Sequence, residues 1–163
     1  MSKTIPWFPY QLFFLIVEPI SALVGAYYAA GRPEEYLSLL SSSPTQLVTT
    51  STPTLISLYQ LSNLYLLFAL NEHIVLSSTN SLKTWRRLLF CLLLADFGHL
   101  ATMWPLALEK GVGEVYFRCW DWNAMEWGSI GFVYMGALMR ISFLVGLGLK
   151  TDTRGEEKRD KDE

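Results

Sequence analysis

Four long stretches of this chain, Pro9 to Ala30, Thr54 to Leu76, Arg87 to Leu108 and Ala124 to Leu149, are nearly cleared of charge. A helix rises about 1.5 Å per residue, so roughly 20 apolar residues cross the ~30 Å hydrocarbon layer of a bilayer. Each stretch has that length. The charged residues, 17% of the chain, gather instead at the N-terminus, in the connections and in the tail. A soluble globule spreads charge over the outer faces of its helices, whereas a lipid-facing helix cannot carry it. The fold class this predicts is all-α, a four-helix transmembrane bundle. The bundle occupies residues 1–149, and the charged segment 150–163 is expected to be a disordered tail.

The connections differ in character. Gly31 to Pro53 is rich in Ser, Thr and Pro, Ser77 to Trp85 is a short polar turn, and the third connection carries Gly111 and Gly113. Nine Lys and Arg residues fall on the side of the termini and the second connection, and three on the other side. That asymmetry places both termini in the cytosol. The first apolar run contains Glu18 and Pro19 and lacks a basic leader, so it is expected to be a span, not a cleaved signal. Cys91 and Cys119 do not form a disulfide framework. The tail ends Arg159-Asp160-Lys161-Asp162-Glu163, which resembles a dibasic retrieval signal of the endoplasmic reticulum membrane; the alternative is a merely solvated tail.

Polar groups inside the spans carry the functional information, because an ionised side chain at mid-membrane costs at least ~2.5 kcal/mol and needs a partner or a wet cavity. Glu18, Asp96 and Arg140 lie near the middles of the first, third and fourth spans, within about one helical turn of the same depth. They are expected to form one buried constellation. On the third span, Asp96, His99 and Met103 share a face, and on the fourth Ser129, Val133, Gly136 and Arg140 do. On the second span Ser57, Gln60, Asn63 and Asn71 fall within a narrow arc, with Glu72 beside it and His73 further round. A common interior with a few convergent polar groups follows.

Bland alternatives stand beside each residue. Arg140 with Glu18 or Asp96 could be a structural ion pair fixing helix register. His99, Gln60, Asn63 and Asn71 could be interhelical glue. Trp127, with Trp120 and Trp122, could anchor at the headgroups or close a cavity mouth. Pro19 and Pro105 should kink their helices, and a carbonyl freed near Glu18 could orient a ligand.

Serine-hydrolase, zinc, nucleotide and dinucleotide motifs are missing from the sequence, so no cofactor or metal is expected. No basic stripe exists for nucleic acid. What the polar groups fit is acid and base chemistry on a lipophilic small molecule that enters from the membrane lipids. A carboxyl group in a low-dielectric bundle can retain its proton and act as an acid, while a second, held ionised by Arg140, acts as a base. Opening an epoxide needs that pair. Glu18, Asp96 and Arg140 are the expected catalytic set, and Gln60, Asn63, Asn71, Glu72, His99 and Trp127 the expected substrate contacts.

The stretch Glu18-Pro19 with Leu23 and Gly25, the run Ala95-Asp96-Phe97-Gly98-His99-Leu100, and Trp127-Gly128-Ser129-Ile130-Gly131 leading to Arg140, Phe143 and Leu144 resemble a fungal family of small four-span membrane proteins. More loosely, size and topology resemble the emopamil-binding and sigma-2 receptor class, and the epoxide hydrolases and cyclases of fungal polyketide and meroterpenoid pathways, including polyene-pyrone mycotoxin routes. The resemblance implies an epoxide-opening hydrolase or cyclase of secondary metabolism in the endoplasmic reticulum. A non-catalytic sterol or lipid binder, or an assembly protein for other membrane-bound pathway enzymes, is the alternative. The chain lacks the sterol-isomerase pattern of paired carboxylates with histidine, unless Glu72-His73 stands in for it. Self-association into a homo-oligomer is left open.

Overall fold

The computed structural model describes residues 8–40 and 50–149. The expected disordered tail, 150–163, lies outside the described residues. Four helices are long and apolar enough to cross a membrane: α1 (Phe8–Gly31), α3 (Thr52–Val75), α4 (Leu82–Lys110) and α6 (Ala124–Leu144). Two shorter helices sit in the connections, α2 (Pro33–Leu40) after α1 and α5 (Val112–Tyr116) after α4. Among the described residues there is no strand, and the protein is an all-α four-helix bundle.

Local chemistry explains the boundaries. Ser51 caps α3 by accepting from the Thr54 N–H, and Ser81 caps α4 by accepting from the Thr84 N–H. The α4 helix therefore starts ahead of Arg87, where apolar residues alone place it. Asn123 opens α6 in a reciprocal capping box with Glu126. At its other end α6 stops at Leu144 rather than Leu149, because Gly146 and Gly148 take left-handed backbone at φ +89° and +70°. The first connection, expected as a loop, contains α2: Pro33 fits a first helical turn, and Glu34 and Glu35 complement its N-terminal dipole.

At both prolines expected to kink their helices the chain departs from regular α-helix. Pro105 follows a break at Met103, whose N–H turns back to Leu100 and Ala101. Pro19 has no N–H to give the Leu15 carbonyl four residues back, and the turn before it widens into a π-helical segment, Phe13–Val17. The freed Leu15 carbonyl is taken by His73, whose Nδ1 lies 2.7 Å away. That histidine belongs to a second π-helical segment, Asn71–Val75 in α3. A third, Trp127–Gly131, lies in α6.

Packing divides the bundle into a closed half and a hollow half. At the end near the second connection, Tyr10, Phe13, Phe14, Leu76, Trp85, Leu89, Leu92 and Phe143 form a filled aromatic core. Tyr10 meets Phe143 edge to face at 5.1 Å and donates its hydroxyl to the Leu147 carbonyl. Toward the first and third connections α1 and α3 stay close: Ser62 donates to the Ala26 carbonyl, and Gly25 lets the Tyr65 ring lie where a Cβ would be 3.4 Å from it. Between that pair and the α4/α6 pair the hollow half opens. The α2 helix covers its end through Tyr36, packed with Ala29 and Leu58, and through the Leu39 carbonyl, which accepts from Asn123.

Candidate functional site in the membrane interior

Where the closed half meets the hollow one, each spanning helix contributes one charged side chain. Arg140 of α6 is fully buried. Its Nη2 donates to Glu18 Oε1 of α1 at 2.6 Å and to Glu72 Oε1 of α3 at 3.3 Å, and its Nη1 donates to Asp96 Oδ2 of α4 at 2.8 Å. Phe14 and Phe68 each place a ring 5.6 and 5.7 Å from the guanidinium carbon. One guanidinium thus ties all four spans together by ion pairs.

Space for it comes from Gly136, one helical turn earlier. A Cβ at that position would lie 2.7 Å from Arg140 Nη1 and 3.1 Å from Glu18 Oε1. Glycine there is a steric requirement, since the guanidinium lies back across its own helix.

Charge counting constrains the cluster. Three carboxyls surround one cation, and the low-dielectric interior strongly disfavours unbalanced charge. Electroneutrality is met when two of the three carboxyls carry protons. Oε2 of Glu18 and Oε2 of Glu72 are buried without hydrogen-bond partners among the described residues.

A cavity of about 760 Å³ occupies the hollow half. Glu18, Asp96 and His99 border it at its deep end, and Tyr28, Tyr36 and Tyr65 toward the connections. Most of the remaining wall is apolar. Val24 and Leu64 line it too, yet are 52% and 59% exposed, so the cavity reaches residues on the outer surface of the bundle. Its size and wall suit an apolar molecule with one or two polar functions.

The expected site residues separate into three groups. Glu18 and Asp96 meet at Arg140 and also face the cavity, and His99 faces it with a buried Nε2 that has no hydrogen-bond partner among the described residues. Glu72, expected as a peripheral contact, belongs to the Arg140 cluster; it and Arg140 are sealed behind the cavity floor and do not border it. Gln60, Asn63 and Asn71 are exposed on α3, and Trp127 is exposed beside Trp122. None of these four lines the cavity. Likewise the freed Leu15 carbonyl is bonded to His73 and is not held open for a ligand.

The reading from sequence missed Ser21, Tyr36, Tyr65 and Met125, all of which line the cavity. A signal for Tyr65 existed. Leu61, Tyr65, Phe68 and Glu72 recur at helical spacing. The amide arc on the adjoining side of the same helix drew the inward assignment instead. Cys91 and Cys119 are free thiols, and among the described residues no cluster of His, Cys, Asp and Glu could hold a metal ion.

Residues 2–150 match the family model described as domain of unknown function (DUF7704), and the chain belongs to that family. No curated protein and no solved structure matches it.

Proposed function

We propose that the protein is a membrane-embedded enzyme that opens an epoxide, by hydrolysis or by intramolecular cyclisation, on a lipophilic fungal polyketide or terpenoid metabolite. The observation that carries this reading is the pairing of Glu18 and Asp96 on one guanidinium at the floor of an apolar cavity that reaches the outer surface of the bundle. A neutral cluster has one carboxylate among its three carboxyls, and the proposed chemistry takes that carboxylate to be one of the two that border the cavity, the other keeping its proton. That is the acid and base an epoxide requires.

In hydrolysis the protonated carboxyl gives its proton to the epoxide oxygen as the carbon–oxygen bond breaks. The ionised carboxylate takes a proton from water, whose oxygen forms the new bond on the opposite face of the same carbon. A vicinal diol leaves, and the two carboxyls have exchanged one proton. In cyclisation a hydroxyl of the substrate replaces the water. Arg140 is a positioning residue that holds both carboxyls, and His99 supplies a polar contact to the bound oxygen function. The proposal places the termini in the cytosol on the charge asymmetry and the protein in the endoplasmic reticulum on the dibasic pattern of its tail, with membrane-bound enzymes that make the epoxide as partners.

A second reading is a non-catalytic sterol or lipid binder. It is favoured by the sealing of Arg140 and Glu72 away from the cavity, which would fasten the bundle whatever the cavity does. The two separate on one experiment. Membranes containing the wild type, Asp96→Asn or Glu18→Gln are supplied with a lipophilic epoxide in ¹⁸O-water, and product is analysed by mass spectrometry at matched protein levels. The enzyme reading expects labelled diol or ring-closed product, falling about 10²- to 10⁴-fold in either variant. Equal product from the variants removes the catalytic roles, and ligand retention without product from any form favours the binder.

A further inference from the structure

Neither the cavity nor the ion cluster uses the amide arc of α3. Gln60 and Asn63 lie within about 5 Å of the middle of that helix, where the hydrocarbon is deepest, and both are exposed. Their neighbours on the arc are satisfied locally: Ser57 donates to the Pro53 carbonyl and Asn71 to the Leu67 carbonyl, each at 3.0 Å. The side chains of Gln60 and Asn63 form no hydrogen bond among the described residues. Acyl chains offer no donor or acceptor, so two central amides facing lipid would be left unpaired at considerable cost.

We infer that this face of α3 is the contact between two copies of the chain, with Gln60 and Asn63 hydrogen-bonded across a two-fold axis along the membrane normal. All copies inserted by one route share one orientation, so such an axis sets each residue opposite its own counterpart at the same depth. A carboxylate or an ammonium in that position would repel its twin. An amide carries both donor and acceptor and is complementary to itself. Ile56 and Leu67, 51% and 53% exposed on the same stripe, supply the apolar packing around the amides. Leu61, Tyr65 and Phe68 turn to the cavity, while Leu64, one turn from Gln60, borders both the cavity and this face, so the contact runs beside the cavity without filling it.

The full chain is co-expressed with two different tags, solubilised in mild detergent, diluted into lipid nanodiscs and captured on one tag. The wild type should retain the second tag, and Gln60→Leu with Asn63→Leu should lower that retention by about tenfold or more. The exchange Gln60→Asn with Asn63→Gln, which keeps both amides, should preserve most of it. Because both residues face outward, the leucine variant should unfold at the wild-type temperature, which separates lost association from lost folding. Failure of the wild type to retain its second tag would overturn the inference, as would equal retention by the leucine variant. So would an Asn63→Cys chain that cross-links to another membrane protein and not to itself.

Discussion

Arg140 illustrates how much a single residue depends on its neighbours. An arginine at mid-span is tolerable only because three carboxyls reach it and Gly136 leaves room for the head group to lie flat. Its Nη1 cannot simply swing away from an added methyl group, since that nitrogen is pinned to Asp96. Gly136→Ala should therefore loosen the clasp and destabilise the protein by about 1–3 kcal/mol, the usual range for overpacking a filled interior. The check is the unfolding midpoint in detergent against a control such as Gly98→Ala, where a Cβ meets nothing within 4 Å. Sequence alone flags Arg140, Glu18 and Asp96, because charge inside an apolar window is conspicuous. It does not place Glu72 in the same cluster, because that residue sits near a span end with other polar groups around it.

At the scale of an element, the π-helical turns of α1 and α3 are coupled. Pro19 removes a backbone donor, the Leu15 carbonyl loses its helical partner, and His73 on the neighbouring span replaces it. This arrangement holds the two turns against each other, one directly before Glu18 and the other around Glu72. Losing the histidine leaves a carbonyl unpaired, so His73→Phe should cost about 1–3 kcal/mol. Adding Pro19→Ala restores an N–H at the position that can reach Leu15, and the double variant should recover much of that loss. Thermal unfolding of the two single variants and the double one gives the coupling directly, and additive losses would show that histidine and proline act independently. The proline and its kink are legible in the sequence. The identity of the group that repairs it is not, because His73 is 58 residues away along the chain.

For the molecule as a whole, the division into a closed half and a hollow half decides what can be bound. Gly128 borders the cavity, and a Cβ built on it meets nothing within 4 Å, so a larger side chain there occupies empty space without displacing packed atoms. Gly128→Leu should leave the fold as stable as the wild type while reducing capture and turnover of a lipophilic epoxide at least tenfold, about 1.4 kcal/mol. Parallel measurement of unfolding and product formation tests this, and full activity in a well-folded variant would mean that the substrate lies elsewhere.

The amino-acid sequence by itself determined the four spans, because roughly 20 apolar residues cross a ~30 Å layer however they pack. It also determined that Glu18, Asp96 and Arg140 must find partners, because lipid cannot solvate them. Tertiary structure decided which way each helix faces. Periodicity says which residues share a side, but Gln60 and Asn63 form as regular a stripe as Leu61, Tyr65 and Phe68. Only the packing of Leu58 and Ala69 inward, with Glu72 drawn to Arg140, turns the second stripe to the interior and the amides to the outside.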